Sequence, residues 1–227
     1  LSTYYTYELD NGMYIFTKIT GDSTTITVPD DLSEVQDYIF YNNQNLESII
    51  IPEGIEVIGS YAFANCTNLK SVTLPSTLKT IEDYAFYNCT SLESIELPES
   101  VTSIGSYAFY SCTNLQSITI PQNITILNSH IFSHCSSLES IVIPENVTII
   151  GASAFAYCEN LQSVTIPEGV ERIEDYAFRG CTSLVSLNLP STLQRLGQWS
   201  LADCSSLSSL VINSSEMTYG NAVLVYC

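Results

Sequence analysis

The sequence predicts a strand-rich α/β solenoid: a right-handed superhelix in which each 23-residue turn supplies one parallel strand and one short helical turn. Three observations predict it. All eight prolines share one register, Pro29, Pro52, Pro75, Pro98, Pro121, Pro144, Pro167 and Pro190, each 23 residues after the last. The eight cysteines keep the same step, from Cys66 through Cys89, Cys112, Cys135, Cys158, Cys181 and Cys204 to Cys227. Between them, every unit switches from a two-residue apolar alternation to the spacing of a single helical turn. A fixed period of this length marks an array in which no unit can bury its apolar side alone, so neighbours complete the core.

The elements follow in chain order. Tyr4 to Leu9 and Met13 to Ile19 flank Asp10-Asn11-Gly12, a strong hairpin turn, so residues 1–22 read as a capping hairpin over the first rung. The solenoid runs over residues 23–213. Thr24 to Pro29 is its first strand, with Ile26 and Val28 in the places of Ile49 and Ile51. The unit from Cys89 to Cys112 shows the full pattern. Leu92, Ile95 and Leu97 face inward on a strand, with Glu96 alternating outward. Pro98 cannot donate to a ladder and ends that strand, and Glu99 and Ser100 turn the chain. Val101 and Ile104 begin the return path, and Ala108, Phe109 and Cys112 form the inward face of the helical turn. An Asn or Ser before each strand leucine, as at Asn68 and Ser91, suits a side chain that bonds its own turn. Nine strands about 4.8 Å apart make a rod of roughly 40 Å. After Ile212 the pattern decays: Asn213 replaces the proline, and residues 214–227 read as a degenerate or truncated last repeat.

Composition narrows the function classes. The 227 residues hold 24 acidic and 6 basic side chains, a formal charge of -18. No nucleic-acid partner is expected, because phosphate binding needs a cationic face. No segment approaches the roughly 20 apolar residues of a membrane span. Leu1 does not begin a secretory leader, so any leader or anchor the protein carries is expected outside these residues.

The unit spelled by Ile120 to Pro144 and its neighbours, with Ile-Pro, a Val or Ile three residues on, Ala-Phe, Cys and Leu-x-Ser-Ile at fixed offsets, resembles the BspA-like class of leucine-rich repeats. The tyrosine-rich N-terminal hairpin fits the same resemblance. It implies a secreted or surface-anchored protein of mucosal bacteria or parasitic protists that adheres to host matrix or to other cells. It implies neither catalytic residues nor a particular ligand.

Eight cysteines would ordinarily suggest four disulfides. Here each stands at one point of its unit, points inward and meets only its equivalents in adjacent rungs, and Asn43 replaces it in the first full unit. Buried free thiols are expected. His130 and His134 stand four apart beside Cys135, which on a helix is metal-ligand spacing. They occupy the outward positions of Tyr107 and Asn88, however, and no carboxylate column completes a site, so no metal, cofactor or catalytic residue is expected. Sequons stand at Asn65, Asn88, Asn123, Asn146 and Asn213.

What remains is surface. One outward column of the expected concave sheet reads Ser48, Ser71, Ser94, Ser117, Ser140, Ser163, Ser186 and Ser209. The next changes at every rung: Ile50, Thr73, Glu96, Thr119, Val142, Thr165, Asn188 and Val211. The candidate ligand-binding residues are Ser94, Glu96, Ser117, Thr119, Ser140, Val142, Ser163 and Thr165. On the convex side Tyr38, Tyr61, Tyr84, Tyr107, Tyr176 and Trp199 share one position, as a self-stacked row or as contact anchors. The chain therefore reads as a non-catalytic extracellular or cell-surface adhesion module for a protein or glycan ligand on a host or neighbouring cell. The alternative is a structural spacer or accessory domain of a larger surface protein.

Overall fold

The computed structural model describes residues 34–227 in full and, before them, the backbone of the strands Tyr4–Asp10, Met13–Thr20 and Thr25–Thr27. The first two pair antiparallel from Tyr4↔Thr20 to Asp10↔Met13, as a hairpin requires. The turn residues Asn11 and Gly12, and the packing expected of a cap, lie outside the described residues.

From Thr25 onward every 23-residue turn places a strand beside its equivalent in the next turn, in parallel. Ser48 pairs with Ser71, Ser117 with Ser94 and Ser140 with Ser163. In the strands from Ser71–Thr73 to Ser163–Thr165 the middle residue is buried and its neighbours are exposed, as in Ser94–Glu96 and Ser117–Thr119. This is the alternation expected of a half-buried strand. From Pro75 to Pro190 the proline that follows each strand opens a turn: its carbonyl accepts the N–H three residues on, as Pro98 does from Val101 at 3.0 Å and Pro144 from Val147 at 3.0 Å. The return path then forms a second parallel strand of two residues, such as Val57–Ile58, Thr80–Ile81 and Ser103–Ile104.

The expected helical turn is absent. No helix occurs among the described residues, and the segment containing Ala-Phe is a pair of tight turns. Backbone geometry explains why. Tyr61 and Asn65 both have positive φ, 57° and 61°, and the same two positions are left-handed in the following units, for example Tyr84 and Asn88. A helix cannot run through such residues. The N–H groups that would point along a helix are shared differently. Those of Ala62, Ala64 and Cys66 close local turns on Gly59, Tyr61 and Phe63, while those of Tyr61, Phe63 and Asn65 donate to Asp83, Ala85 and Tyr87 of the next turn. Half of the segment's donors therefore tie rung to rung, a stronger demand on this architecture than local helicity.

The core is a set of columns running the length of the solenoid. Phe40, Phe63, Phe86, Phe109, Phe132, Phe155 and Phe178 are all buried and stack with ring centroids 5.1 to 5.7 Å apart. Leucine columns such as Leu69, Leu92, Leu115 and Leu138 fill the space opposite. Each buried Phe or Leu contributes about 1.5 to 3 kcal/mol relative to exposure, and only the presence of the neighbouring turn realises it. All eight cysteines are free, and seven are buried. Each thiol donates to a backbone carbonyl 26 residues earlier: Cys89 to Phe63 at 3.2 Å, Cys112 to Phe86 at 3.3 Å, and so on to Cys227, which donates to Leu201 at 2.9 Å. Cysteine is therefore the small core residue that also carries a donor. Burial pushes the thiols of Cys66, Cys112, Cys158 and Cys204 up to about 12, so they stay protonated. A thiol-titrating reagent added to the native protein is expected to find Cys227 alone, the one exposed thiol, and to find eight after unfolding without reductant. Fewer than four after unfolding would contradict the free-thiol core.

Candidate functional site

The strand face presents the predicted columns to solvent. Ser94, Glu96, Ser117, Thr119, Ser140, Val142, Ser163 and Thr165 are all exposed, Val142 by 67%. Strand register aligns them: Thr119 lies beside Glu96, and Val142 beside Thr165. The face is not one continuous ladder, however. Its strands pair two by two, Ser94–Glu96 with Ser117–Thr119 and Ser140–Val142 with Ser163–Thr165, after an initial group of three from Thr25–Thr27 to Ser71–Thr73. The bond one residue before the strand occurs within pairs, as from the Gln116 N–H to the Glu93 carbonyl at 3.1 Å, and also between them, as from the Glu139 N–H to the Gln116 carbonyl at 3.3 Å.

This two-unit rhythm has a counterpart on the second ladder that the single-unit period conceals. Glu82-Asp83 and Glu174-Asp175 alternate with Gly59-Ser60, Gly105-Ser106 and Gly197-Gln198. The side chains of Asp83 and Asp175 accept the N–H of Ser106 and Gln198 at 2.7 and 2.9 Å. The alternation fails at Asn128-Ser129. There the Asn128 side-chain amide donates to the Ile104 carbonyl at 2.7 Å, and the ladder is interrupted between Ser103–Ile104 and Ile126–Leu127.

Charge is zoned along the rod. No Lys or Arg occurs between Lys79 and Arg172. The five described bases are all paired with carboxylates: Lys70 with Glu47 at 2.9 Å, Lys79 with Glu56 at 2.5 Å, Arg172 with Glu174, Arg179 with Asp203 at 3.0 Å, and Arg195 with both Glu174 and Asp175. The middle of the serine face, with Glu93, Glu96 and Glu139 exposed, therefore carries uncompensated negative charge.

The tyrosine row stacks on itself. Ring centroids step by 4.8, 4.5, 4.6 and 4.3 Å from Tyr38 through Tyr61, Tyr84 and Tyr107 to His130, so ring faces are covered by their neighbours. Such stacks supply about 0.5 to 1.5 kcal/mol per pair, which helps to offset the left-handed backbone that tyrosine adopts there. Ser153 interrupts the row. Beyond it the Arg179 guanidinium lies 5.7 to 5.8 Å from the ring centroids of Tyr157, Tyr176 and Trp199.

The two histidines occupy separate stacks, His130 on Tyr107 at 4.3 Å and His134 on Tyr157 at 4.8 Å. Burial lowers the pKa of both, and His134 lowers that of His130 further. Among the described residues no three His, Cys, Asp or Glu side chains come together as a metal site. Four of the sequon asparagines hold the solenoid together: Asn88 donates to the Asn65 side chain at 2.9 Å, and Asn123, Asn146 and Asn213 donate to carbonyls of the preceding turn at 2.7 to 3.0 Å. No described helix is long and apolar enough to cross a membrane.

Comparison with known proteins agrees with this geometry. The pneumococcal vaccine antigen PcpA, 24% identical over 88% of this chain and 66% of its own, superposes with a TM-score of 0.54 and shares the solenoid fold. A T. pallidum leucine rich repeat protein is 27% identical, covering 95% of this chain and 83% of its own, with a TM-score of 0.49. A leucine rich cell surface protein of Faecalibacterium prausnitzii is 22% identical over 95% and 96% of the two chains, with a TM-score of 0.39. No curated protein matches. The model of the BspA type leucine rich repeat region matches residues 11–139 and 125–227 in six copies, and the chain belongs to that family.

Proposed function

We propose that the chain is a non-catalytic interaction module that holds a macromolecular ligand, a protein or glycan of a host or neighbouring cell, against the serine face of its fourth to seventh rungs. The observation that carries this reading is the exposed serine column beside a column that changes at every rung, from Glu96 to Thr119, Val142 and Thr165. Small side chains let a partner approach the sheet closely, and the varying column supplies the chemistry that distinguishes one partner from another. Contacts of this kind are individually weak and sum along the array. A place outside the cell or at its surface is supported by the fold it shares with PcpA, a vaccine antigen.

The second reading, a stiff spacer within a larger surface protein, is favoured by the self-satisfied aromatic row, whose stacked ring faces are unavailable to a partner. A pull-down from matrix proteins and cell-surface extracts separates the two. Ser117→Arg with Ser140→Arg is expected to abolish capture while leaving the circular dichroism unchanged, since both side chains are exposed. Tyr84→Ser with Tyr107→Ser is expected to retain capture at reduced stability. If the tyrosine pair loses binding and the arginine pair keeps it, the interface is the aromatic row; capture by neither the parent nor its variants favours the spacer.

A further inference from the structure

We propose that the groove between the strands Ser71–Thr73 and Ser94–Glu96 is a pocket for a lysine or arginine side chain presented by an extended segment of a partner protein. The proposal rests on the reading of the serine face as the interface and names the chemistry of what it takes. The groove lies at a junction between ladder groups: Ser71–Thr73 closes the first group of strands, and Ser94–Glu96 begins the next pair. It holds about 490 Å³.

Its lining suits a long cationic side chain. Leu74, Leu97 and Pro98 form an apolar wall against which a methylene stem can lie, and Glu53 and Glu96 place carboxylates on the same groove. Ser76 holds Glu53 in position, donating its N–H to one carboxylate oxygen at 3.0 Å and its hydroxyl to the other at 2.9 Å. The same bonds keep the Glu53 carboxyl below the ordinary carboxylate range. The nearby bases do not neutralise the site, because Lys70 is engaged by Glu47 and Lys79 by Glu56. Beyond Lys79 no base follows until Arg172. An anionic partner is repelled here, and a neutral apolar side chain leaves both carboxylates without a counter-charge.

The test uses the whole chain and three fluorescein-labelled nine-residue Ser/Thr/Val peptides that differ only at the centre, which carries lysine, norleucine or glutamate. Fluorescence anisotropy at low salt is expected to show the lysine peptide binding about tenfold more tightly than the norleucine peptide, the size of one charge-assisted contact. Glu96→Gln is expected to remove most of that difference, and Glu53→Gln part of it. Equal binding of the lysine and norleucine peptides, or a lysine preference untouched by Glu96→Gln, overturns the proposal. The broader reading fails separately. A chain whose Ser117→Arg and Ser140→Arg variant loses its macromolecular ligand, yet whose groove ignores lysine, keeps the interface and discards the pocket; the opposite pair of results keeps the pocket.

Discussion

Replacing Phe109 by alanine is expected to lower the unfolding free energy by about 3 to 5 kcal/mol, and the matching change at Leu201 to lower it by less. Both residues occupy the same register of their turns and both are fully buried. Their neighbours differ. Phe109 stacks between Phe86 at 5.4 Å and Phe132 at 5.7 Å, so its loss opens a void that touches two further rungs of the aromatic column. Leu201 lies on Phe178's register, and beyond it the residues of the next turn, Val223 and Cys227, are already partly or largely exposed. In a quasi-one-dimensional array a break at the centre uncouples two halves, whereas a break near an end releases only what lies beyond it. Guanidinium titrations of the two variants measure the difference. Equal losses, with unchanged slopes, would contradict a stability that is transmitted rung by rung.

The period, the strand face and the inward cysteines were legible because each depends on a residue type with one dominant preference. Proline cannot sit in a ladder, a two-residue alternation has one buried side, and a cysteine beside Phe and Ala belongs in a core. The return path departs from the expected helical turn because its cause is not local. Ala108, Phe109 and Cys112 have helical spacing, and tyrosine is a poor left-handed residue, so nothing in propensity announces the positive φ of Tyr107. That conformation pairs the segment's donors with the neighbouring turn, a satisfaction visible only once two turns lie side by side. The eight face residues are exposed, as an outward strand position requires, whereas the groove beside Glu53 is invisible from a single repeat. It lies where one group of paired strands meets the next, and the signal for that two-unit grouping is the alternation of Glu-Asp with Gly-Ser, spread across 46 residues.

That alternation makes Gly105 the most constraining small residue of the central rungs, and Gly105→Ala is expected to destabilise the chain by about 1 to 3 kcal/mol or more. The reason is space. Gly105 does not have the positive φ seen at Gly54 and Gly180, so alanine is conformationally acceptable there. A methyl group at Gly105, however, falls 2.6 Å from the Glu82 carbonyl carbon and closer still to the Asp83 backbone nitrogen, and backbone cannot swing aside as a side chain does. The turn must separate from the one before it. Separation lengthens the bond from the Ser106 N–H to the Asp83 carboxylate, now 2.7 Å, and the bond from the Gly105 N–H to the Ile81 carbonyl, now 2.8 Å. The equivalent position one turn earlier is Glu82, which follows Gly59-Ser60 and turns its carboxylate back to accept the Ser60 hydroxyl at 3.0 Å. Glu82→Ala therefore removes two half-buried hydrogen bonds, from the Ser60 hydroxyl and from the Ser60 N–H at 3.2 Å, but that N–H keeps the Asp37 carboxylate at 2.8 Å, and the loss is expected to cost about 1 kcal/mol. Thermal unfolding of the two single variants discriminates: a loss for Gly105→Ala no greater than for Glu82→Ala would show that the turns have slack at this contact, and that the Gly-Ser units are not the close-approach points of the solenoid.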